Sequence, residues 1–155
     1  MRRSRLELDD YFPYLINRVG TVLAVRFTAE QLAAHGLSIA MWRVLAVLSN
    51  NGGQRQIDLA GLTSIDASTL SRLVTRLVRM GLVSRARSRT SSREVVVSLS
   101  AKGRALVDRL IPAALTLEET LGRGLPQRDR VVVKRALRRM YANMSGHRGR
   151  VADDG

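Results

Sequence analysis

The stretch that decides the fold runs Asp66-Ala-Ser-Thr-Leu70-Ser-Arg-Leu-Val-Thr75-Arg-Leu-Val-Arg-Met80-Gly-Leu-Val-Ser-Arg85-Ala-Arg87 and continues to Ala101. Asp66 is placed to accept from the free amides of a first helical turn. Leu70, Leu73, Val74, Leu77 and Val78 then recur at i, i+3, i+4, i+7 and i+8, so one stripe of the helix packs inward. The opposite face carries Ser68, Thr69, Ser71, Arg72, Thr75, Arg76 and Arg79, hydroxyls and guanidinium groups with no acid among them. Such a face suits a groove lined by phosphates and acceptor atoms, which makes this a candidate DNA recognition helix.

Gly81 is placed to end that helix in a left-handed turn. Leu82 to Arg87 and Glu94 to Leu99 read as two strands around a polar tip, Ser88-Arg89-Thr90-Ser91-Ser92-Arg93. A tip of arginines and small hydroxyl residues can follow a phosphate backbone or enter a minor groove. The alternative is solvated surface on both elements. Ordinary solvated helices mix their charges, whereas Arg72, Arg76, Arg79, Arg85, Arg87, Arg89 and Arg93 stand here against only Asp66 and Glu94.

Leu70-Ser-Arg-Leu-Val-Thr-Arg-Leu-Val-Arg-Met-Gly-Leu-Val-Ser-Arg85, the later Val97-Ser-Leu-Ser-Ala-Lys-Gly103 and the upstream Gly36-Leu-Ser-Ile-Ala-Met-Trp-Arg-Val-Leu45 together resemble the multiple-antibiotic-resistance-regulator (MarR) family of winged-helix transcription factors. The likeness covers most of the chain in order. It implies a homodimer whose first and last two helices make the interface, with small effectors in a cleft between those helices and the winged-helix lobe. One departure stands at the wing: where the family usually has Asp-Arg-Arg, this chain has Ser91-Ser92-Arg93, so only Arg93 maps directly onto a family wing arginine.

Composition bounds the alternatives. The chain has 155 residues, 45% of them hydrophobic, enough for one core or for a small domain plus helices that finish their burial in a partner subunit. A net charge of +13 points to a polyanion, with an anionic membrane as the competitor. No stretch approaches transmembrane length, and the basic start Met1-Arg2-Arg3-Ser4-Arg5 runs into Glu7, Asp9 and Asp10 rather than an apolar core, so we expect a cytoplasmic protein with no membrane partner. The absence of cysteine excludes thiolate metal sites and thiol redox sensing. No nucleophile elbow, Walker loop or zinc-protease motif occurs, and His35 and His147 are the only histidines, so no catalytic residue, metal site or cofactor is expected. RNA or single-strand binding is disfavoured because residues 66–101 contain no aromatic ring for stacking bases.

The expected architecture is mainly α with a small β-wing. A first helix is capped by Asp9 or Asp10, with Pro13 in its first turn, and Gly36 stops it. Helices at about 39–48 and 56–62 precede the recognition helix and wing. Ser100 caps a fifth helix running to about Leu121 with a kink at Pro112, and the turn Gly122-Arg-Gly-Leu-Pro126 leads to a last helix ending near Met144. The divisions are therefore a dimerisation helix at 1–36, a winged helix-turn-helix lobe at 37–100, dimerisation helices at 101–145 and a flexible tail at 146–155. Leu106, Val107, Leu110, Leu115, Leu117 and Leu121, with Val131, Val132, Val133, Leu137, Met140 and Tyr141, exceed what one small core needs and point to a second chain.

The expected DNA contacts are Ser68, Thr69, Ser71, Arg72, Thr75 and Arg76 in the major groove, Arg87 on a phosphate, and Arg89 and Arg93 in the wing. Two-fold symmetry would set two recognition helices on double-stranded DNA at a pseudo-palindromic operator with half-sites about 10 bp apart. Tyr11, Tyr14, Arg18, His35, Trp42 and Arg43 are the candidate effector residues. Rings with cations suit an aromatic acid or its coenzyme A thioester, while the plainer alternative makes the rings core and the cations solvated. The function expected is thus a repressor released by a small molecule; a ligand-free architectural DNA-binding protein is the alternative.

Overall fold

Caps and left-handed turns set where the helices begin and end. The computed structural model describes residues 5–88 and 94–146. Its elements run α1 (Phe12–Phe27), α2 (Ile39–Asn51), β1 (Gln54–Arg55), α3 (Gln56–Thr63), α4 (Ala67–Arg79), β2 (Val83–Arg87), β3 (Val95–Leu99), α5 (Ala101–Leu121) and α6 (Gln127–Met144). Past Phe27 the chain continues through a π turn at Thr28–Leu32 and a 3-10 turn at Ala33–His35, ending where Gly36 takes φ +67°. Ser38 Oγ then caps α2 by accepting from the Met41 amide at 3.2 Å. Gly81, at φ +72°, turns the chain out of α4 as its position in the sequence requires.

The three strands form one antiparallel sheet in the order β1-β3-β2. Val83 pairs with Leu99 and Arg87 with Val95 along the hairpin, and Gln54 and Arg55 pair with Val97 and Val96 on the other edge of β3. Val97 is fully buried beneath this sheet. The core joins Phe27, Leu32, Leu37 and the α2 residues Met41, Val44, Leu45 and Leu48 to Leu59, to the α4 stripe Leu70, Val74 and Leu77, and to Leu106, Val107 and Leu110 of α5. The inward face of α4 is thereby fixed, and the direction of its outward face with it.

The chain divides into two units at Leu117 and Glu118. In the first, α1 leaves Phe12, Ile16, Val19, Val22 and Val25 exposed, Phe12 to 64% and Val22 to 65%. In the second, the hairpin from α5 into α6 is tied by Arg130, which donates to Glu119 Oε2 at 2.8 Å and to the carbonyls of Gly122 and Leu125, and by an ion pair of Lys134 with Glu118. Val131, Val132, Val133, Leu137 and Tyr141 of α6 are all exposed.

Several details differ from the sequence reading. Asp9 and Asp10 do not cap α1: they lie in a 3-10 turn, Leu8–Asp10, and Tyr11 holds the cap position with no side-chain bond. Pro13 does fall in the first turn, where its missing donor is harmless. Pro112 does not interrupt α5, which stays helical from Ala101 to Leu121. Pro112 and Asp108, whose carbonyl loses its partner there, both lie on the exposed side, where the freed carbonyl is open to solvent. Val78 is 39% exposed rather than part of the inward stripe. α2 runs three residues past Leu48, and β1 is an element the sequence reading lacks. Among the described residues, no single helix is long and apolar enough to cross a membrane.

Candidate nucleic-acid interface

Asp66 builds the N-terminus of α4. Its Oδ1 accepts from the Thr69 amide at 2.9 Å. Bonding from the Thr69 hydroxyl first, and then from the Thr69 amide, holds the Asp66 carboxyl below its ordinary value. With Leu70, Val74 and Leu77 at zero exposure, the 100° step per residue turns Ser68, Arg72, Thr75, Arg76 and Arg79 outward, and all five are exposed. Thr69 and Ser71 are half-buried at the margins. Arg72 reaches back to Thr69 Oγ1 in a long 3.4 Å contact, and Arg76 meets the Gly36 carbonyl at 3.5 Å.

The wing's first strand is fastened to this helix by Arg85. Its Nη2 donates to the Ser71 carbonyl at 3.2 Å and to Thr75 Oγ1 at 3.1 Å, while Thr75 Oγ1 donates to the same Ser71 carbonyl at 2.9 Å. Arg85 was visible in the sequence as one more cation; its docking on α4 was not. Arg87 is exposed at the end of β2. Arg89 and Arg93, the expected wing-tip contacts, lie outside the described residues, as does His147.

A second cluster escaped the sequence reading altogether. Arg55 of β1 donates to both carboxylate oxygens of Asp58 at 2.6 and 3.0 Å and to Glu94 at 2.8 Å, at the start of the strand that returns from the wing tip. The Asp58 bonds, followed by that to Glu94, raise the Arg55 pKa above its already high value. Arg55 and Glu94 are 39 residues apart, so only the β1–β3 pairing reveals them as neighbours. Asp58 and Glu94 are thus both committed to Arg55. Arg79 and Arg87 have no carboxylate in ion-pair range among the described residues.

The candidate effector residues are dispersed. Trp42 is half-buried and meets Phe27 edge-on, with ring centroids 5.5 Å apart, and packs against the core. Arg18 lies 5.5 Å over the Tyr14 ring. Tyr11 and Arg43 are exposed. His35 alone of the six lines a cleft of about 260 Å³, together with Met80, Leu82, Lys102, Leu106 and Arg109. Lys102 Nζ there donates to the Met80 carbonyl at 2.9 Å, at the C-terminal end of α4. Among the described residues, no group of three or more histidine or acidic side chains could hold a metal ion.

Residues 37–95 match the model of the MarR family. The chain is 32% identical over 111 residues to the HTH-type transcriptional repressor NicR of Pseudomonas putida, covering 72% of this chain and 70% of that one. A MarR-family regulator from Silicibacter pomeroyi superposes with a TM-score of 0.81 at 32% identity, covering 97% of this chain and 99% of that one. BpsR of Bordetella bronchiseptica, a protein whose DNA binding is regulated by 6-hydroxynicotinic acid, superposes at 0.75 with 27% identity, covering 83% and 97%.

Proposed function

This chain belongs to the MarR family of winged-helix transcriptional regulators, which are not enzymes, and from that premise we propose that two copies bind a pseudo-palindromic operator as a repressor released by an aromatic acid. The observation that carries the DNA reading is the outward face of α4, where Ser68, Arg72, Thr75, Arg76 and Arg79 are exposed and acid-free beside Arg85 and Arg87. Arg72 and Thr75 meet base edges, Ser68, Thr69, Ser71 and Arg76 complete the major-groove contact, and Arg87 meets a phosphate. Arg89 and Arg93 extend the contact from the wing. The divisions at 1–36, 37–100 and 101–145 carry dimerisation, DNA reading and dimerisation in turn.

The exposed apolar residues of α1 and of α6 are what a second copy covers. Two-fold symmetry then sets half-sites about 10 bp apart. For the effector, the support is a relative whose DNA binding answers to 6-hydroxynicotinic acid, together with the cleft at His35, Lys102 and Arg109. A carboxylate, or a thioester with its phosphates, has cations to meet there. The same cleft reaches the Met80 carbonyl through Lys102 and adjoins Gly36, which Arg76 touches, so an occupant bears on α4 directly.

Footprinting against random duplex tests the DNA reading: a regulator prefers its operator by about 10³-fold or more. Equal affinity would instead favour a ligand-free architectural protein. Titration with a panel of aromatic acids tests the effector. An active compound weakens operator binding and, through the shift it imposes on the core beside α4, changes the emission of Trp42, the single tryptophan, which packs on that core outside the cleft. A panel that alters neither removes the ligand from the proposal.

A further inference from the structure

The hydroxyl of Thr75 is turned toward the protein, and this restricts what the residue can read. A threonine hydroxyl has one hydrogen to donate and two lone pairs. Here the hydrogen goes to the Ser71 carbonyl at 2.9 Å, and one lone pair accepts from Arg85 at 3.1 Å. Thr75 therefore has no proton left for guanine O6, for thymine O4 or for a purine N7. Its second lone pair lies beside the Arg85 guanidinium, where the positive hydrogens of an adenine or cytosine amino group would meet a like charge. The γ-methyl is the part of this exposed side chain with no such commitment.

We propose that Thr75 and Arg85 form one reading unit for thymine: the Thr75 methyl packs on the thymine C5 methyl, and the remaining N–H groups of Arg85 meet the adjacent O4. Thymine is the base that places a methyl and an acceptor side by side in the major groove. Arg85 is the specificity determinant that the acid-free face of α4 does not itself contain, because it arrives from β2. The inference rests on the operator-binding reading above.

The test uses the whole 155-residue chain and a duplex selected from a random pool, with each thymine of a half-site replaced singly by deoxyuridine. Wild type should show a thymine whose replacement weakens binding about three- to fivefold, the share of one buried methyl group. T75V, which keeps the methyl and loses the hydroxyl, should retain that loss, and T75S should bind both duplexes equally. At the same step wild type should reject 5-methylcytosine, which keeps the methyl but replaces O4 with an amino group, and R85M should lose that rejection. Each ratio is internal to one protein, so a change in overall affinity does not disturb it. The assignment is overturned if no thymine responds, if T75S keeps the full loss, or if R85M discriminates as wild type does. A protein that selects no sequence at all overturns it together with the operator-binding reading, and that result is distinct from sequence-selective binding indifferent to the thymine methyl.

Discussion

Gly103→Ala should be among the most damaging single-methyl changes in the chain. A Cβ at this position would stand 1.9 Å from the Leu82 carbonyl oxygen and 2.9 Å from its carbon. Carbon to oxygen contacts settle at about 3.3–3.6 Å, so the two backbones must part by about 1.4 Å or more, and no side chain can rotate away to allow it. Overpacking of this kind costs about 1–3 kcal/mol and sometimes more. A backbone-to-backbone clash sits at the upper end of that range, and alanine returns at most about 1 kcal/mol of helix propensity, leaving a net loss of about 2 kcal/mol. The position also joins α5 to the turn between α4 and β2. The Gly103 amide donates to Ser100 Oγ at 2.9 Å, Ser100 Oγ donates to the Gly81 carbonyl at 2.6 Å, and the Ser100 amide donates to Leu82 at 3.0 Å. Separation at Gly103 therefore moves the place where the wing leaves the recognition helix. Urea unfolding should show the midpoint falling by about 1 M, for a slope near 2 kcal/mol/M. DNA affinity measured well below that midpoint should fall as well. A variant as stable as wild type, gaining from alanine's helix propensity, would refute the close approach of the two backbones.

Three further outcomes follow from the same geometry. Asp66→Asn keeps an acceptor for the Thr69 amide but removes the charge. Because the folded Asp66 carboxyl is held below its ordinary 3.8, its contribution is full above that value and is lost as pH falls through the lower folded value. Urea midpoints at pH 6 and pH 3 should therefore differ more for wild type than for D66N, and equal differences would remove Asp66 from the acid limb. Arg55→Gln frees Glu94 at the base of the wing and leaves it beside DNA as an unneutralised acid. It should lower duplex affinity severalfold with little change in thermal midpoint, since both ion pairs are solvent-exposed, and an unchanged affinity would show that the cluster does not bear on the wing. Leu137→Glu places a charge on the exposed apolar face of α6 and should shift the protein to monomer in sedimentation while weakening a two-half-site duplex by about 10²-fold or more. A monomeric wild type would refute the dimer.

What the sequence showed and what it hid divide along sequence separation. The cap at Asp66, the 3.6-residue period of Leu70, Val74 and Leu77, the turn at Gly81 and the Ser100 cap are local, and each follows from backbone chemistry within a few residues. Val78 falls outside the buried stripe of α4, which is narrower than a run of apolar residues suggests. Pro112 removes one backbone bond on the exposed side without ending α5. The contacts that complete the interface span distance instead: Arg85 to Thr75 over 10 residues, and Arg55 to Glu94 over 39. β1 is two residues long, too short for any period to register, yet it brings Arg55 beside Glu94.

That placement explains how a chain so rich in arginine keeps a usable surface. Twenty-six basic residues against 13 acidic ones leave few carboxylates to distribute. Asp66 serves the amides of its own helix and has only Arg72 of the outward cations in its electrostatic reach, and Asp58 and Glu94 hold Arg55, so the rest of the outward face of α4 keeps its charge. Arg79 and Arg87 stay exposed toward solvent, and Arg85 is engaged by a carbonyl and a hydroxyl, partners that position the cation without cancelling its charge. Uncancelled cations repel one another, which lowers the stability of the free protein, and the same repulsion is relieved when phosphates arrive. Positioning by neutral acceptors thus separates two tasks that an ion pair would merge: it fixes the direction of the guanidinium while leaving its charge for DNA.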